Sequence, residues 1–304
     1  MSSQRHTHQP LLGALFKLGS VVLLASMSAC VKFLGQTVPI GEIIFVRGLI
    51  ALVVLAVFAH RTAGLQVLKT NNWRRHASRA LFGTISMFSL FTALSMIPLA
   101  DVTAISFASP LFITILAMLF LGERIHAFRW TALIMGVTGV VIMISPHLAL
   151  HDGNLLGVSI ALSAAIFAAL AMIVLRSMSQ GEPAVTITFY FLLTATVCSL
   201  VTICWGWIMP STEQWLVMLL TGILGVAGQL SMTYAYRYAD ASTIAPLDYT
   251  SMIVAVALGR LVFNETPSWS TWVGAPLVIV AGLIIFWREY RLSQTRYHVA
   301  NDAV

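Results

Sequence analysis

The sequence contains 304 residues, of which 59% are hydrophobic and 9% are charged, with a formal net charge of +6 and a mean hydropathy of +0.89. Soluble globular domains carry about 25% charged residues, so this composition excludes a soluble protein. The excess of positive charge does not indicate nucleic-acid binding, because membrane proteins retain Lys and Arg in their cytoplasmic loops.

Ten apolar runs follow one another along the chain, and each can cross a bilayer as a helix of about 20 residues. They cover residues 11–34, 40–59, 78–97, 102–121, 128–146, 154–176, 184–208, 214–236, 242–263 and 270–288. The runs are uniformly apolar, whereas transmembrane β-strands are short and alternating. The first run continues past Cys30 without a convincing cleavage site, so we interpret it as a span and not as a signal peptide. The predicted fold class is an all-α integral membrane protein with ten transmembrane helices.

The distribution of basic residues predicts the orientation. If the N-terminus is cytoplasmic, most of the 17 Lys and Arg residues lie on the cytoplasmic side. The loops on the other side contain none, and they comprise residues 35–39, 98–101, 147–153 and 209–213. Such asymmetry in short loops indicates that both tails, residues 1–10 and 289–304, are cytoplasmic.

Short matches relate the two halves of the chain. Residues 99–105 (LADVTAI) resemble residues 238–244 (YADASTI), and LGE at 121–123 is matched by FNE at 263–265. A tryptophan follows each glutamate at the same spacing, at Trp130 and Trp272. Because each half has an odd number of spans, the second half must enter the membrane from the opposite side. We therefore predict two inverted five-helix repeats, residues 11–146 and 154–288, around a central site.

Three segments resemble the drug/metabolite transporter superfamily, EamA type: residues 100–112 (ADVTAISFASPLF), 121–124 (LGER) and 245–252 (APLDYTSM). The resemblance covers essentially the whole chain. It implies a secondary transporter of the bacterial inner membrane that moves a small organic solute and needs no cofactor. In layout the chain is most similar to the riboflavin and S-adenosylmethionine importers. We expect riboflavin, with S-adenosylmethionine, amino acids or another metabolite as alternatives, in either direction.

Ionisable residues inside spans are costly, so Arg47 and Asp248 are candidate substrate-binding residues. The guanidinium of Arg47 could clamp an anionic or carbonyl group; alternatively, it pairs with Glu42 or extends to the surface. Asp248 follows Pro246, which disrupts the helix, and could bind a cationic group or a coupling proton. The alternative is a structural acid bonded to neighbouring Ser, Thr or Arg side chains.

Uncharged side chains complete the candidate list: Gln229, Tyr234, Ser89, Thr92 and Tyr249. The Gln229 amide could read the edge of a heterocycle, and the two tyrosines could stack on a planar ligand such as an isoalloxazine ring. For each of the five, helix packing is the alternative. Two further acids, Glu123 and Glu265, are expected to cap the helices that follow them.

Other functional classes find little support in the sequence. A membrane enzyme would need a motif such as His-Glu-x-x-His, and all 8 histidines fall in predicted loops or tails. No Gly-Lys-Ser/Thr phosphate loop is present, and the 3 cysteines have no metal-ligand spacing. A channel or a structural membrane protein is the alternative from a different class. The sequence does not predict the oligomeric state.

Overall fold

The computed structural model describes residues 10–62, 64–70, 72–121, 127–149, 154–178, 182–238 and 244–301. Within these ranges the chain forms α-helices and short 3-10 turns, without a β-strand. The helices are α1 (Pro10–Leu34), α2 (Ile40–Thr62), α3 (Trp73–Met96), α4 (Leu99–Ser106), α5 (Ser109–Leu121), α6 (Ala127–Ala149), α7 (Asn154–Met178), α8 (Ala184–Leu200), α9 (Thr212–Tyr238), α10 (Thr250–Phe263) and α11 (Trp269–Asn301). The 3-10 turns are Leu65–Leu68, Val201–Trp205 and Ala245–Tyr249.

The helices account for the ten predicted spans. Among the described residues, 8 segments are long and apolar enough to cross a membrane, and the shorter apolar helices Trp130–Ser145 and Trp269–Ile284 supply the fifth and tenth spans. The prediction of an all-α, ten-span membrane fold is confirmed. The third span begins earlier than predicted, at Trp73, so His76 lies in the first turn of α3 and not in a loop.

Two spans are interrupted by proline, one in each half. The fourth span consists of α4 and α5, which are separated at Phe107–Ala108. Pro110 has no N–H to donate to Ser106, and its ring clashes with that carbonyl, so α4 ends there. The ninth span begins as a 3-10 turn that contains Pro246 and becomes α-helical at Thr250. Interrupted helices of this kind are common beside transporter sites, because they leave backbone groups free.

The fourth and ninth spans run in opposite directions. At the face where α1 begins, which we call the N-terminal face, Lys17 contacts Asp248 near the start of the ninth span. At the other face, which we call the opposite face, Lys32 near the end of α1 contacts Glu265, which follows α10. The fourth span begins here, because Leu99 also contacts Glu265. The fourth and ninth spans, which correspond to each other in the two halves, are therefore antiparallel, as an inverted repeat requires.

Helix packing follows the same symmetry. The main pairs are α1 with α9, α3 with α7, α2 with α8 and α6 with α11, and each joins one half to the other. Exchanging each span with the span five places further along converts the α1–α9 pair into the α3–α7 pair. Glycine permits the closest approaches: a Cβ at Gly228 of α9 would lie 2.8 Å from Leu24 of α1. The halves are thus intertwined around one shared interior.

Candidate substrate-binding cavity

A cavity of about 230 Å³ lies between the two repeats. The first, third and fourth spans contribute its walls from one repeat, and the ninth span contributes from the other. The apolar lining residues are Val21, Leu24, Ala25, Leu90, Leu94, Leu99, Val102, Phe107 and Ala255, and the polar ones are Ser20, Ser28, Thr103, Ser106, Asp248 and Ser251. Mostly apolar walls with a few convergent polar groups are typical of a small-molecule site.

The hydroxyl groups of the lining all bond within their own spans. Each donates to a backbone carbonyl three or four residues earlier, at oxygen–oxygen distances between 2.6 and 3.1 Å. The donors and acceptors are Ser20 to Lys17, Ser28 to Leu24, Thr103 to Leu99, Ser106 to Val102 and Ser251 to Asp248. These bonds satisfy the O–H donor of each hydroxyl group in an otherwise apolar interior.

Asp248 supplies the carboxylate of the lining. Its Oδ1 lies 2.6 Å from Nζ of Lys17, and the Asp248 side chain is 48% exposed whereas the Lys17 side chain is fully buried. A buried ammonium group needs a partner, because desolvation of an unpaired charge is costly. The acid therefore separates the lysine from the open space of the cavity.

The interruptions of the fourth and ninth spans meet beside the cavity. The rings of Phe107 and Tyr249 lie 5.0 Å apart at 63°, an edge-to-face contact. The phenol oxygen of Tyr249 occupies the space above Gly282 of α11, where a Cβ atom would overlap it. Among the described residues that line the cavity, Phe107 supplies the aromatic ring.

A group of contacts lies at the opposite face and includes the cavity-lining residues Leu94 and Leu99; we call it the opposite-face cluster. Nζ of Lys32 lies 2.9 Å from Oε1 of Glu265 and donates to the carbonyls of Ile97 at 2.7 Å and Leu94 at 3.3 Å. Oε2 of Glu265 accepts a hydrogen bond from the backbone N–H of Leu99 at 3.2 Å. One ion pair thus caps the end of α3 and the start of α4, and it joins the repeats.

The prediction that Glu265 caps the helix that follows it is therefore wrong. The helix that follows Glu265 is α11, and the hydroxyl of Ser268 accepts the N–H of Thr271 there, at 3.2 Å. The hydroxyl of Thr271 donates to Oδ1 of Asp101 at 2.5 Å, which is a second polar contact between the repeats at this face. Glu123 lies outside the described residues.

Arg47 lies beside the cavity wall and not in it. Its Nη1 lies 3.1 Å from the sulfur of Met87, its guanidinium lies 5.5 Å from the ring centre of Phe91, and a Cβ at Gly225 would lie 3.1 Å from its Nε. Glu42 instead accepts a hydrogen bond from the N–H of Ile208 at 3.3 Å. The alternative of an Arg47–Glu42 pair is therefore wrong.

The other candidates lie away from the lining, so Asp248 is the one candidate that the structure places in it. Gln229 is exposed on α9, and Tyr234 packs against Phe16, with ring centres 5.6 Å apart. Ser89 and Thr92 are half-buried on α3. Tyr249 reaches the cavity only through its contact with Phe107. The roles of these residues in binding stay predictions.

At the N-terminal face, Glu182 ties the connection between α2 and α3 to the second repeat. Its Oε1 accepts hydrogen bonds from Asn72 at 3.0 Å and Thr70 at 2.8 Å, and its Oε2 lies 3.5 Å from Nε2 of His76. Hydrogen bonds from Asn72, then Thr70, lower the pKa of Glu182 below its usual 4.5, and His76 contributes in the same direction.

Ten spans in two repeats with a partly polar cavity between them are an architecture found among transporters. The family comparison agrees. The EamA-like transporter family matches residues 11–145 and 155–287, and the chain belongs to this family. It is therefore an EamA-type transporter and a multi-pass membrane protein.

Relatives with assigned solutes are similar over most of their length. A riboflavin transporter of Vibrio cholerae is 28% identical over 297 residues, which are 96% of this chain and 99% of the relative. An S-adenosylmethionine uptake transporter of Rickettsia felis is 30% identical over 92% of this chain and 93% of its own. The pseudopaline exporter CntI of Pseudomonas aeruginosa is 28% identical over 88% and 94%.

A solved crystal structure has a similar fold, with a TM-score of 0.62 at 19% identity over 92% of this chain and 98% of the other. This similarity concerns the fold alone. The relatives act on three different solutes by name, and one of them is an exporter. Family membership therefore does not determine the substrate of this chain.

Proposed function

We propose that the protein carries a small organic metabolite across the bacterial inner membrane by alternating access. The observation that supports this most directly is the cavity enclosed by spans of both repeats. Inverted repeats can rock about such a site and open it to each face in turn. In this conformation we infer that the opposite-face cluster closes one end, because Leu94 and Leu99 belong both to the cluster and to the cavity lining.

Opening at the opposite face would require contacts between the repeats to break. They include the ion pair of Lys32 with Glu265, the hydrogen bond of the Leu99 N–H to Glu265 and the hydrogen bond of Thr271 to Asp101. The interrupted helices near Phe107 and Tyr249 provide positions at which the fourth and ninth spans can bend. The proposed motion changes the angle between the two repeats, and the fourth and ninth spans bend as it occurs.

Riboflavin is the solute that we propose first. The Vibrio cholerae relative named for it aligns over almost the whole of both chains. The wall at Phe107 offers an aromatic surface for a flavin ring, and the lining hydroxyls offer partners for its polyhydroxy chain.

S-adenosylmethionine is the second candidate. It carries a sulfonium and an ammonium group, and Asp248 places a carboxylate in the lining. Four relatives named for its uptake are 29% or 30% identical. Amino acids and other metabolites are further alternatives, and a channel is the alternative mechanism.

The orientation that we propose puts both termini in the cytoplasm, in agreement with the positions of the Lys and Arg residues. The N-terminal face is then the cytoplasmic face. Asp248 is the proposed site of a coupling proton, because it is an acid in the cavity lining with a partly exposed side chain.

Uptake into a bacterial strain that requires external riboflavin tests the proposal. We expect growth at low riboflavin on expression of the protein, and accumulation of labelled riboflavin above that of labelled amino acids. A parallel assay with labelled S-adenosylmethionine distinguishes the two candidates. Absence of both activities, with the protein shown to be in the membrane, would reject both solutes.

A further inference from the structure

We infer that the cavity recognises its solute through hydrogen-bond donors of the solute, and that it therefore takes neutral or cationic solutes and rejects anions such as phosphate esters. The inference rests on the proposed function as a transporter, because it treats the cavity as the solute site. It does not depend on riboflavin being the solute.

The lining hydroxyls are the first support. A carbonyl oxygen can only accept, so each hydroxyl that bonds one must use its single proton for that bond. All five hydroxyls of the described lining residues do so, at distances of 2.6 to 3.1 Å, and retain only acceptor lone pairs. Backbone N–H groups inside the lining helices bond within those helices, and the N–H of Leu99, at the start of α4, bonds to Glu265. A solute therefore meets oxygen acceptors on several sides.

Asp248 adds the strongest acceptor. Its Oδ1 pairs with Lys17, and its Oδ2 has no hydrogen-bond partner among the described residues. Lys17 is fully buried behind the carboxylate and does not belong to the lining. The positive charge thus compensates the acid without offering a donor to the cavity, and the exposed carboxylate oxygen is available to an N–H or O–H of the solute.

The remaining lining residues are apolar, so among the described residues the lining offers no charged or hydroxyl donor. An anion that enters the cavity loses its hydration shell and gains no hydrogen bond from the described lining side chains. Each group left unmatched in this way weakens binding by roughly 10- to 100-fold. Polyols, protonated amines and heterocyclic N–H groups match the lining instead. Riboflavin and S-adenosylmethionine both carry such donors.

A cysteine placed in the cavity can report this preference without knowledge of the solute. We would replace Cys30, Cys198 and Cys204 by Ala in the full chain, and then introduce Ser106→Cys or Ser251→Cys. The two thiols would be labelled in membranes with thiosulfonate reagents of similar size, one bearing a trimethylammonium group and the other a sulfonate. Ser211→Cys, at an exposed site outside the lining, gives the intrinsic rate ratio of the two reagents.

At both cavity positions we expect the cationic reagent to react at least about tenfold faster, after division by the ratio at Ser211→Cys. Adding Asp248→Asn should reduce this preference, because the amide presents a donor in place of the carboxylate oxygen. Equal rates, or faster labelling by the sulfonate, would overturn the inference and leave the proposed function standing. No labelling by either reagent at either position would overturn both, because no accessible cavity would then exist.

Discussion

Lys32 and Glu265 join the two repeats at the opposite face, with Nζ 2.9 Å from Oε1. Lys32 is 5% exposed and also binds the last carbonyls of α3, while Glu265 binds the first N–H of α4. A single contact therefore fixes the α3–α4 corner, the end of α1 and the segment after α10. Separation of these elements is the movement by which the opposite face would open.

Removal of the Lys32–Glu265 pair is predicted to destabilise the conformation in which the two repeats are joined at the opposite face. Lys32→Ala leaves the acid and two carbonyls without their buried partner, at a cost of about 1–3 kcal/mol. Melting temperatures of Lys32→Ala, Glu265→Gln and the double variant form a thermodynamic cycle. We expect a coupling of about 1 kcal/mol. Purely additive effects would show that the two side chains do not stabilise the same conformation.

Asp248→Asn is predicted to lower the free energy of unfolding by more than the partial exposure of Asp248 suggests. The change removes a carboxylate that pairs with the fully buried Lys17 ammonium, which costs about 3 kcal/mol. Lys17→Met combined with Asp248→Asn should regain most of the stability, because the buried charge is then absent. Transport by the double variant should remain impaired, since the cavity has lost its acid. Recovery of transport together with stability would assign the pair a structural role only.

Gly282→Ala is predicted to disturb the contact between the two interrupted spans. The added methyl overlaps the phenol oxygen of Tyr249, and overpacking of this kind costs about 1–3 kcal/mol. Tyr249→Phe removes that oxygen and should rescue Gly282→Ala in thermal melts. Gly19→Ala on α1 is the matched control, because no atom lies within 4 Å of its added Cβ and no loss is expected. Equal losses at both glycines would indicate a general helix effect.

The lowered pKa of Glu182 predicts that acidic pH reduces the stability contributed by its contacts at the N-terminal face. Its pKa is lowered by folding, so its contribution to stability is present above its unfolded value of about 4.5 and is lost as the pH falls through the folded value. Between neutral and acidic pH, the melting temperature of the wild type should therefore fall more than that of Glu182→Gln. Parallel curves for the two proteins would contradict this contribution.

Removal of lining acceptors is predicted to weaken solute binding without a matching loss of stability. Ser106→Ala and Ser251→Ala each delete one acceptor from the cavity, and we expect roughly 5- to 10-fold weaker riboflavin binding by flavin fluorescence. Ser163→Ala is the control, because this hydroxyl bonds a helix carbonyl in the same way but lies outside the lining. In the same assay riboflavin 5′-phosphate should bind at least about tenfold more weakly than riboflavin.

Hydropathy and the duplicated motifs were sufficient to predict the spans and the inverted repeat, since bilayer thickness and an odd number of crossings constrain both. Asp248 could be placed near the site because an acid inside a span is rare. Its partner Lys17 could not, because a lysine near a span end is also explained by the charge asymmetry of the loops.

Uniform hydropathy identifies the spans, but it does not show which side of each helix is buried, because a uniformly apolar helix has no periodic pattern. The prediction that Gln229 lines the cavity therefore had no periodic support, and Gln229 is exposed on α9. Lining residues such as Ser106 and Ser251 resemble ordinary helix-packing serines in sequence. Their common feature, a hydroxyl beside an interrupted span, could have distinguished them only in combination with the fold.

Counterflow in proteoliposomes tests alternating access directly, because it requires a carrier that exposes one site to each face in turn. Vesicles containing purified protein and excess unlabelled riboflavin would be diluted into a trace of labelled riboflavin. We predict transient accumulation of label above the external concentration, saturation by riboflavin, and loss of the accumulation in Asp248→Asn. Equilibration of label without accumulation, at a rate that rises linearly with the riboflavin concentration, would rule out alternating access and indicate a channel.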